Sequence, residues 1–214
     1  MICRRNSTLA LASLALNALF AAVPAQAQDT PTKVLILQFE KAAVPGQTQN
    51  APKVRLLTSM GEIVLQLDPD KAPKTVENFL TYVKARHYDG TVFHRVIDGF
   101  MIQGGGYTAD MQLKPTRSPI PLEASNGLKN LRYTVAMART GEPNSATSQF
   151  FINVRDNASL DAPNPDSHGY AVFGKVLSGT EVVDKIRVVP TGNKGALQNV
   201  PITPVTIDSA TLVK

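Results

Sequence analysis

Arg95 sits inside a strand-like run that is followed by a turn and then by Phe100, Met101 and Gln103. The run Phe93-His94-Arg95-Val96-Ile97-Asp98-Gly99-Phe100-Met101-Ile102-Gln103-Gly104-Gly105-Gly106 sets a permanent cation with five N–H donors beside an apolar patch. A second unusual run follows, Ser148-Gln149-Phe150-Phe151-Ile152-Asn153-Val154. On an extended strand Arg95 shares a face with Phe93 and Ile97, and Met101 shares one with Gln103. Gln149, Phe151 and Asn153 share one face of the later strand; Phe150, Ile152 and Val154 share the other and can fill a core. Phe151 and Gln149 then point outward. Apolar groups beside amide and guanidinium donors on two outward faces suit binding or catalysis better than they suit a core.

Other chemistries fit less well. The chain has three histidines, His87, His94 and His168. His94 has the opposite strand parity to Arg95 and reads as a hydrogen-bonded structural histidine facing the interior or a neighbouring element. His87 ends the first helix, where a cation complements the dipole. His168 lies in a solvated loop. No pair has metal-ligand spacing and no cysteine ligand set exists, so no metal is expected. No G-x-S-x-G elbow is present, and nothing links Ser148 to a histidine, which disfavours a serine hydrolase. Gly104-Gly105-Gly106 lacks dinucleotide and P-loop spacing and reads as a strand-ending turn.

The elements that must position these residues are mainly β. Strands are expected over residues 54–58 and 62–67, around a Ser59-Met60-Gly61 turn, and over 91–97, 100–103, 131–138, 149–154, 170–176 and 203–213. A helix starts at Pro73 and shows a core stripe of Val76, Phe79, Leu80 and Val83. Ser178-Gly179-Thr180-Glu181 reads as a capping box before a short second helix. Residues 108–129 form a long surface loop. Two helices are too few to cover a parallel sheet. The expected fold is a closed antiparallel eight-stranded β-barrel capped by two α-helices.

The first 27 residues read as a secretory signal: Arg4 and Arg5, an apolar stretch over 9–23, and Ala25-Gln26-Ala27 as the cleavage pattern. The stretch is shorter than the ~20 apolar residues of a membrane span. Cleavage would remove Cys3, the one cysteine, and two of the 22 basic residues, leaving 20 against 17 acidic. A net charge of +3 without a basic cluster argues against a nucleic-acid partner, and no membrane attachment is expected after cleavage. Residues 28–52 form an N-terminal extension with a strand-like run at 34–39. Residues 53–214 form the compact domain.

The motifs quoted above, with Val172-Phe173-Gly174-Lys175-Val176, resemble the signature of the cyclophilins, the peptidyl-prolyl cis-trans isomerases. The resemblance runs in order from about residue 53 to 213, and the leader makes it similar to the exported, periplasmic bacterial branch. It implies that Arg95 is the catalytic group and that Phe100, Met101, Gln103, Phe151 and Leu160 bind the substrate, with Gln149 beside them. It implies that the Ala138-Arg139-Thr140 backbone binds the peptide chain. Tyr170 stands where the family often has histidine, and Ser159 where an aromatic residue commonly precedes the pocket leucine.

The implied partner is a proline-containing segment of a folding exported protein. The isomerase is expected to act as a monomer with no cofactor. The alternative is a non-catalytic proline-peptide-binding chaperone or docking module on the same fold. Ser159 and Tyr170 predict weak cyclosporin binding; nanomolar affinity by calorimetry would contradict this.

Overall fold

A computed structural model describes residues 51–163 and 168–213. The expected signal segment, the run at 34–39 and all of the extension up to residue 50 lie outside the described residues. Eight strands close a barrel in the order β1-β10-β3-β4-β6-β5-β7-β2, each neighbouring pair antiparallel. They are β1 (Lys53–Thr58), β2 (Gly61–Leu67), β3 (Thr91–Ile97), β4 (Met101–Thr108), β5 (Thr134–Met137), β6 (Phe150–Asn153), β7 (Val172–Ser178) and β10 (Thr206–Val213). Helix α1 (Pro73–Lys84) follows β2, and α2 (Thr180–Arg187) follows β7. The mainly β barrel with two helices is the expected fold.

Alternation fills the barrel as period-2 sequence demands. Val54 and Leu56 of β1, Ile63, Leu65 and Leu67 of β2, and Phe150 and Ile152 of β6 are fully buried in one core. Val76, Phe79 and Val83 of α1 join it, and Phe79 packs its ring against Tyr88, Phe150 and Phe173. Ala72 offers α1 no side-chain cap. Glu123 does this instead: its carboxylate accepts the Lys74 and Thr75 backbone N–H groups and the Thr75 hydroxyl. The loop before β5 is thus anchored to the barrel end by the positive pole of a helix.

Three local expectations are corrected and one element is added. The glycine run does not end a strand; Gly104, Gly105 and Gly106 all lie within β4. A Cβ on Gly106 would fall 2.6 Å from the Gln149 side chain, so this stretch is glycine because side chains cross over it. The capping box before α2 does not form. Gly179 is the N-cap at φ 88, with no side-chain cap, because β7 passes so close to β2 that a Cβ there would meet the Glu62 carbonyl at 2.2 Å. His87 lies beyond α1, its ring 4.6 Å from that of Tyr82 and its Nε2 3.2 Å from the Gly105 carbonyl. Burial and nearby Lys114 lower its pKa, so it is not a dipole-complementing cation. Finally, a hairpin of β8 (Thr191–Lys194) and β9 (Leu197–Pro201), outside the barrel sheet, occupies a stretch with no expected element.

Candidate active site

β3 breaks the expected parity. Phe93 pairs with Gly104, but the next pair is Arg95 with Gln103, so His94 is an extra residue on β3. Such a bulge turns the strand. Phe93 and Val96 both enter the core, while Arg95 stands half-buried on the outer face. Arg95 and Phe93 therefore do not share a face. Of the two placements expected for His94, the structure takes the second, burial against a neighbouring element: its ring lies 4.6 Å from that of Tyr107, and its buried Nδ1 has no hydrogen-bond partner. Burial pushes its pKa down to about 4; the Val92 carbonyl opposes the shift and the Arg95 charge adds to it.

The bulge completes a row across the sheet. Val172 pairs with Ala136, Ala136 with Phe151, Phe151 with Gln103, and Gln103 with Arg95. Residues directly opposite on neighbouring strands project to one face. Met101, Ala136, Phe151 and Val172 form a second apolar cluster, separate from the barrel core. Leu160, from the 3-10 turn Ala158–Leu160, and Tyr170 cover it in part. What they leave open is a pocket of about 110 Å³.

Nine of the residues singled out in the sequence line this pocket: Arg95, Phe100, Met101, Gln103, Ala138, Arg139, Phe151, Leu160 and Tyr170. Phe151 is the apolar base, with Tyr170 edge-on to it at 5.6 Å and 79°. The Arg139 guanidinium stacks on Tyr170 at 4.6 Å and donates to the carbonyls of Gly169 and Thr140. Gln103 Nε2 donates to Gln149 Oε1 at 2.9 Å. Gln149 and Thr140 are the two the pocket does not include. Gln149 lines a neighbouring groove with His94 and Arg95. Thr140 spends its N–H and hydroxyl on Ser145 in a local turn. The Ala138 N–H is likewise taken, by the Gln149 carbonyl.

Three buried asparagines beneath the pocket were not legible as site residues. Asn157 Nδ2 donates to the Phe100 carbonyl at 2.8 Å and to Asn153 Oδ1 at 2.7 Å. Asn153 Nδ2 donates to Asn130 Oδ1, and Asn130 Nδ2 donates to the Leu160 carbonyl at 3.1 Å. The chain of amides links the backbones of two pocket residues. Its one sequence signal is Asn153 within the apolar run Phe150-Phe151-Ile152-Asn153-Val154, where an amide needs partners once buried; Asn130 and Asn157 lie in polar stretches that give no such sign.

The Arg95 guanidinium forms no ion pair or hydrogen bond among the described residues, and no cluster of metal-binding side chains occurs among them. A free guanidinium beside an apolar pocket can donate to a group held there without breaking a bond.

The family model described as "Cyclophilin type peptidyl-prolyl cis-trans isomerase/CLD" matches residues 53–212. The chain belongs to the cyclophilins. It is 60% identical over 162 residues to peptidyl-prolyl cis-trans isomerase cyp18 of Streptomyces antibioticus, covering 75% of this chain and 98% of that one. Isomerase A of Dickeya dadantii is 58% identical, with 75% and 84% covered. Isomerase B of Escherichia coli is 53% identical, with 72% and 96% covered. Among solved structures, a Cryptosporidium parvum cyclophilin type isomerase determined in the presence of the dipeptide Ala-Pro superposes with a TM-score of 0.62 at 27% identity, covering 76% of this chain and 99% of that one. The protein is thus a peptidyl-prolyl cis-trans isomerase, and the barrel described above is the cyclophilin barrel.

The buried His94 of this cyclophilin has a consequence for stability. Its pKa in the fold is about 4, against an ordinary value of 6.5. The unfolded chain binds the proton more readily, so the contribution is fully present above pH 6.5 and is lost as pH falls towards 4. The loss is up to roughly 3 kcal/mol for this shift. Urea unfolding between pH 7 and 4 should show this decline, and His94→Gln should flatten it. An equal decline in the variant would rule His94 out as the source.

Proposed function

We propose that Arg95 is the catalytic group of this isomerase and that the pocket over Phe151 holds the proline ring. The single observation that carries this reading is the unpaired Arg95 in the same cross-strand row as Phe151 and Gln103. Rotation about a peptide bond is resisted by ~18–20 kcal/mol because the nitrogen lone pair is shared with the carbonyl. Both isomers of an X-Pro bond are populated, yet they exchange over tens to hundreds of seconds. As the bond twists, the prolyl nitrogen becomes pyramidal and regains its lone pair. A donor aimed at that nitrogen binds the twisted state better than either planar state, which is what catalysis requires.

Arg95 supplies such a donor and keeps its charge at all working pH values. Met101, Phe151 and Leu160 grip the ring, Phe100 and Tyr170 bound the mouth, and Gln103, braced by Gln149, holds a substrate carbonyl. Ala138 and Arg139 present the edge along which the peptide runs. The Cryptosporidium protein was determined in the presence of Ala-Pro, a proline-containing dipeptide of the class proposed here. A rate gain of about a millionfold needs ~8 kcal/mol, which one donor and desolvation supply together rather than singly.

The chain's residues 1–27 support export: two arginines, an apolar stretch and an Ala-x-Ala end. On this reading the domain works in the periplasm as a monomer, on proline-containing segments of exported proteins that are folding, and assists them as a chaperone. N-terminal sequencing of the protein made in its own cell should find Gln28 first; a retained leader would overturn export.

Arg95→Ala should lower kcat/KM for an Ala-Pro peptide by roughly 10²–10³-fold, the scale of removing one preorganised donor, with circular dichroism and melting unchanged. Near-normal turnover in that variant sinks the assignment. Phe151→Ala should act mainly on KM, because it removes the floor that binds both isomers and the twisted state alike.

A further inference from the structure

A second groove adjoins the proline pocket across Arg95 and Gln103, which line both. Its inner wall is His94, Tyr107 and Gln149. Its outer wall is the turn and second strand of the β8–β9 hairpin, through Leu197, Gln198 and Asn199. At about 370 Å³ it is larger than the 110 Å³ proline pocket. The hairpin is a fixed wall: β9 packs on β3, and Lys194 Nζ donates to the Ala109 carbonyl in the loop after β4. Asn199 holds a left-handed φ of 58°, a conformation asparagine tolerates, and so turns its backbone at the groove.

We propose that this groove is a second peptide subsite, which takes the side chain of a residue flanking the proline and favours an acidic one. The proposal rests on the reading of the Arg95 pocket as the proline pocket. Because Arg95 and Gln103 line both pocket and groove, a chain whose proline ring lies over Phe151 and whose flank runs past Arg95 enters the groove. The lining is amide, phenol, imidazole and guanidinium. Arg95 is its one ionised group, since burial keeps His94 neutral, and no carboxylate lines the groove among the described residues. A glutamate side chain meets donors and a cation there. A lysine can use only the amide, phenol and imidazole acceptors, and it meets the like charge of Arg95. Such a site discriminates by charge without a salt bridge of its own to break.

The test is kcat/KM, by NMR exchange, for the full mature protein on tetrapeptides Ala-X-Pro-Y. X or Y is Glu, Gln or Lys, and the other flank is Ala. On one flank Glu should exceed Lys by roughly two- to fivefold, the scale of a solvent-accessible charge pair, and high salt should erase the difference. Gln198→Glu should reverse the preference and Gln198→Lys should widen it. Lys185→Glu, on the exposed face of α2, makes a charge change twice that of Gln198→Glu but away from the groove, and should leave the ratio as in wild type. Equal turnover of Glu and Lys peptides on both flanks overturns the subsite, as does a Lys185→Glu shift as large as that of Gln198→Glu. Failure to turn over even the Gln peptides overturns the proline-pocket reading, and the subsite with it.

Discussion

One extra residue on β3 decides where this protein can bind. Without the bulge at His94, strict alternation would keep Arg95 on the face of Phe93, which is the barrel core. A guanidinium there would need a buried partner, and among the described residues no carboxylate is buried to supply one. With the bulge, Phe93 and Val96 both fill the core and Arg95 moves to the outer face, opposite Gln103 and in line with Phe151, Ala136 and Val172. The outer wall of a closed barrel then carries a row of five paired residues that runs from apolar to cationic. Because strand pairing fixes their spacing, the row is far more rigid than a loop site would be.

Electrostatics keep that row usable. Asp98 is the carboxylate nearest to Arg95 in sequence, three residues on and just beyond the end of β3. It pairs with Arg187 of α2, which also binds Asp184 at 3.0 Å. Asp184 in turn takes Arg132 and the Tyr133 hydroxyl, and these partners hold its carboxyl below the usual range against the opposing effect of burial. The acidic groups on this side of the barrel are thus engaged with other cations, and the Arg95 charge is not spent on an internal partner. His94, next along the strand, stays neutral because it is buried beside that charge. The groove beside the pocket is thus lined by one cation, Arg95, rather than two, and a donor is worth most when no competing ion pair holds it.

The fold was legible because its signal is periodic. The β2 run Glu62-Ile63-Val64-Leu65-Gln66-Leu67 and the α1 stripe through Val76, Phe79 and Val83 each state one face, and the structure buries that face. β6 was equally clear: Phe150 and Ile152 go in, Phe151 goes out. Parity failed where backbone irregularity intervenes, since a bulge leaves no mark in a run such as Phe93-His94-Arg95-Val96. The strand expected over 131–138 shortens to Thr134–Met137 because Tyr133 sits at φ 67. The β8–β9 hairpin escaped notice because Thr-Gly-Asn-Lys and Leu-Gln-Asn-Val-Pro have little alternation. Gly195, at φ 61 between them, is the turn signal that was available. The stacking of Arg139 on Tyr170 joins residues far apart in sequence, so no local pattern announces it.

The pocket's far side raises a different physical question, namely how a small apolar cleft on a barrel exterior keeps its width. Apolar packing alone is non-directional and would let Leu160 settle onto Phe151. The amide chain from the Phe100 carbonyl through Asn157, Asn153 and Asn130 to the Leu160 carbonyl is directional, and its three asparagines are buried. The Asp161 carboxylate closes it by accepting both the Asn130 backbone N–H and its side-chain amide. Collapse of the cleft would strain or break links whose groups have no water to turn to, each costing about 1–3 kcal/mol. The polar network therefore opposes the closure that the hydrophobic effect favours. A cleft built this way can stay empty without filling itself, and it can admit a ring without first being forced apart.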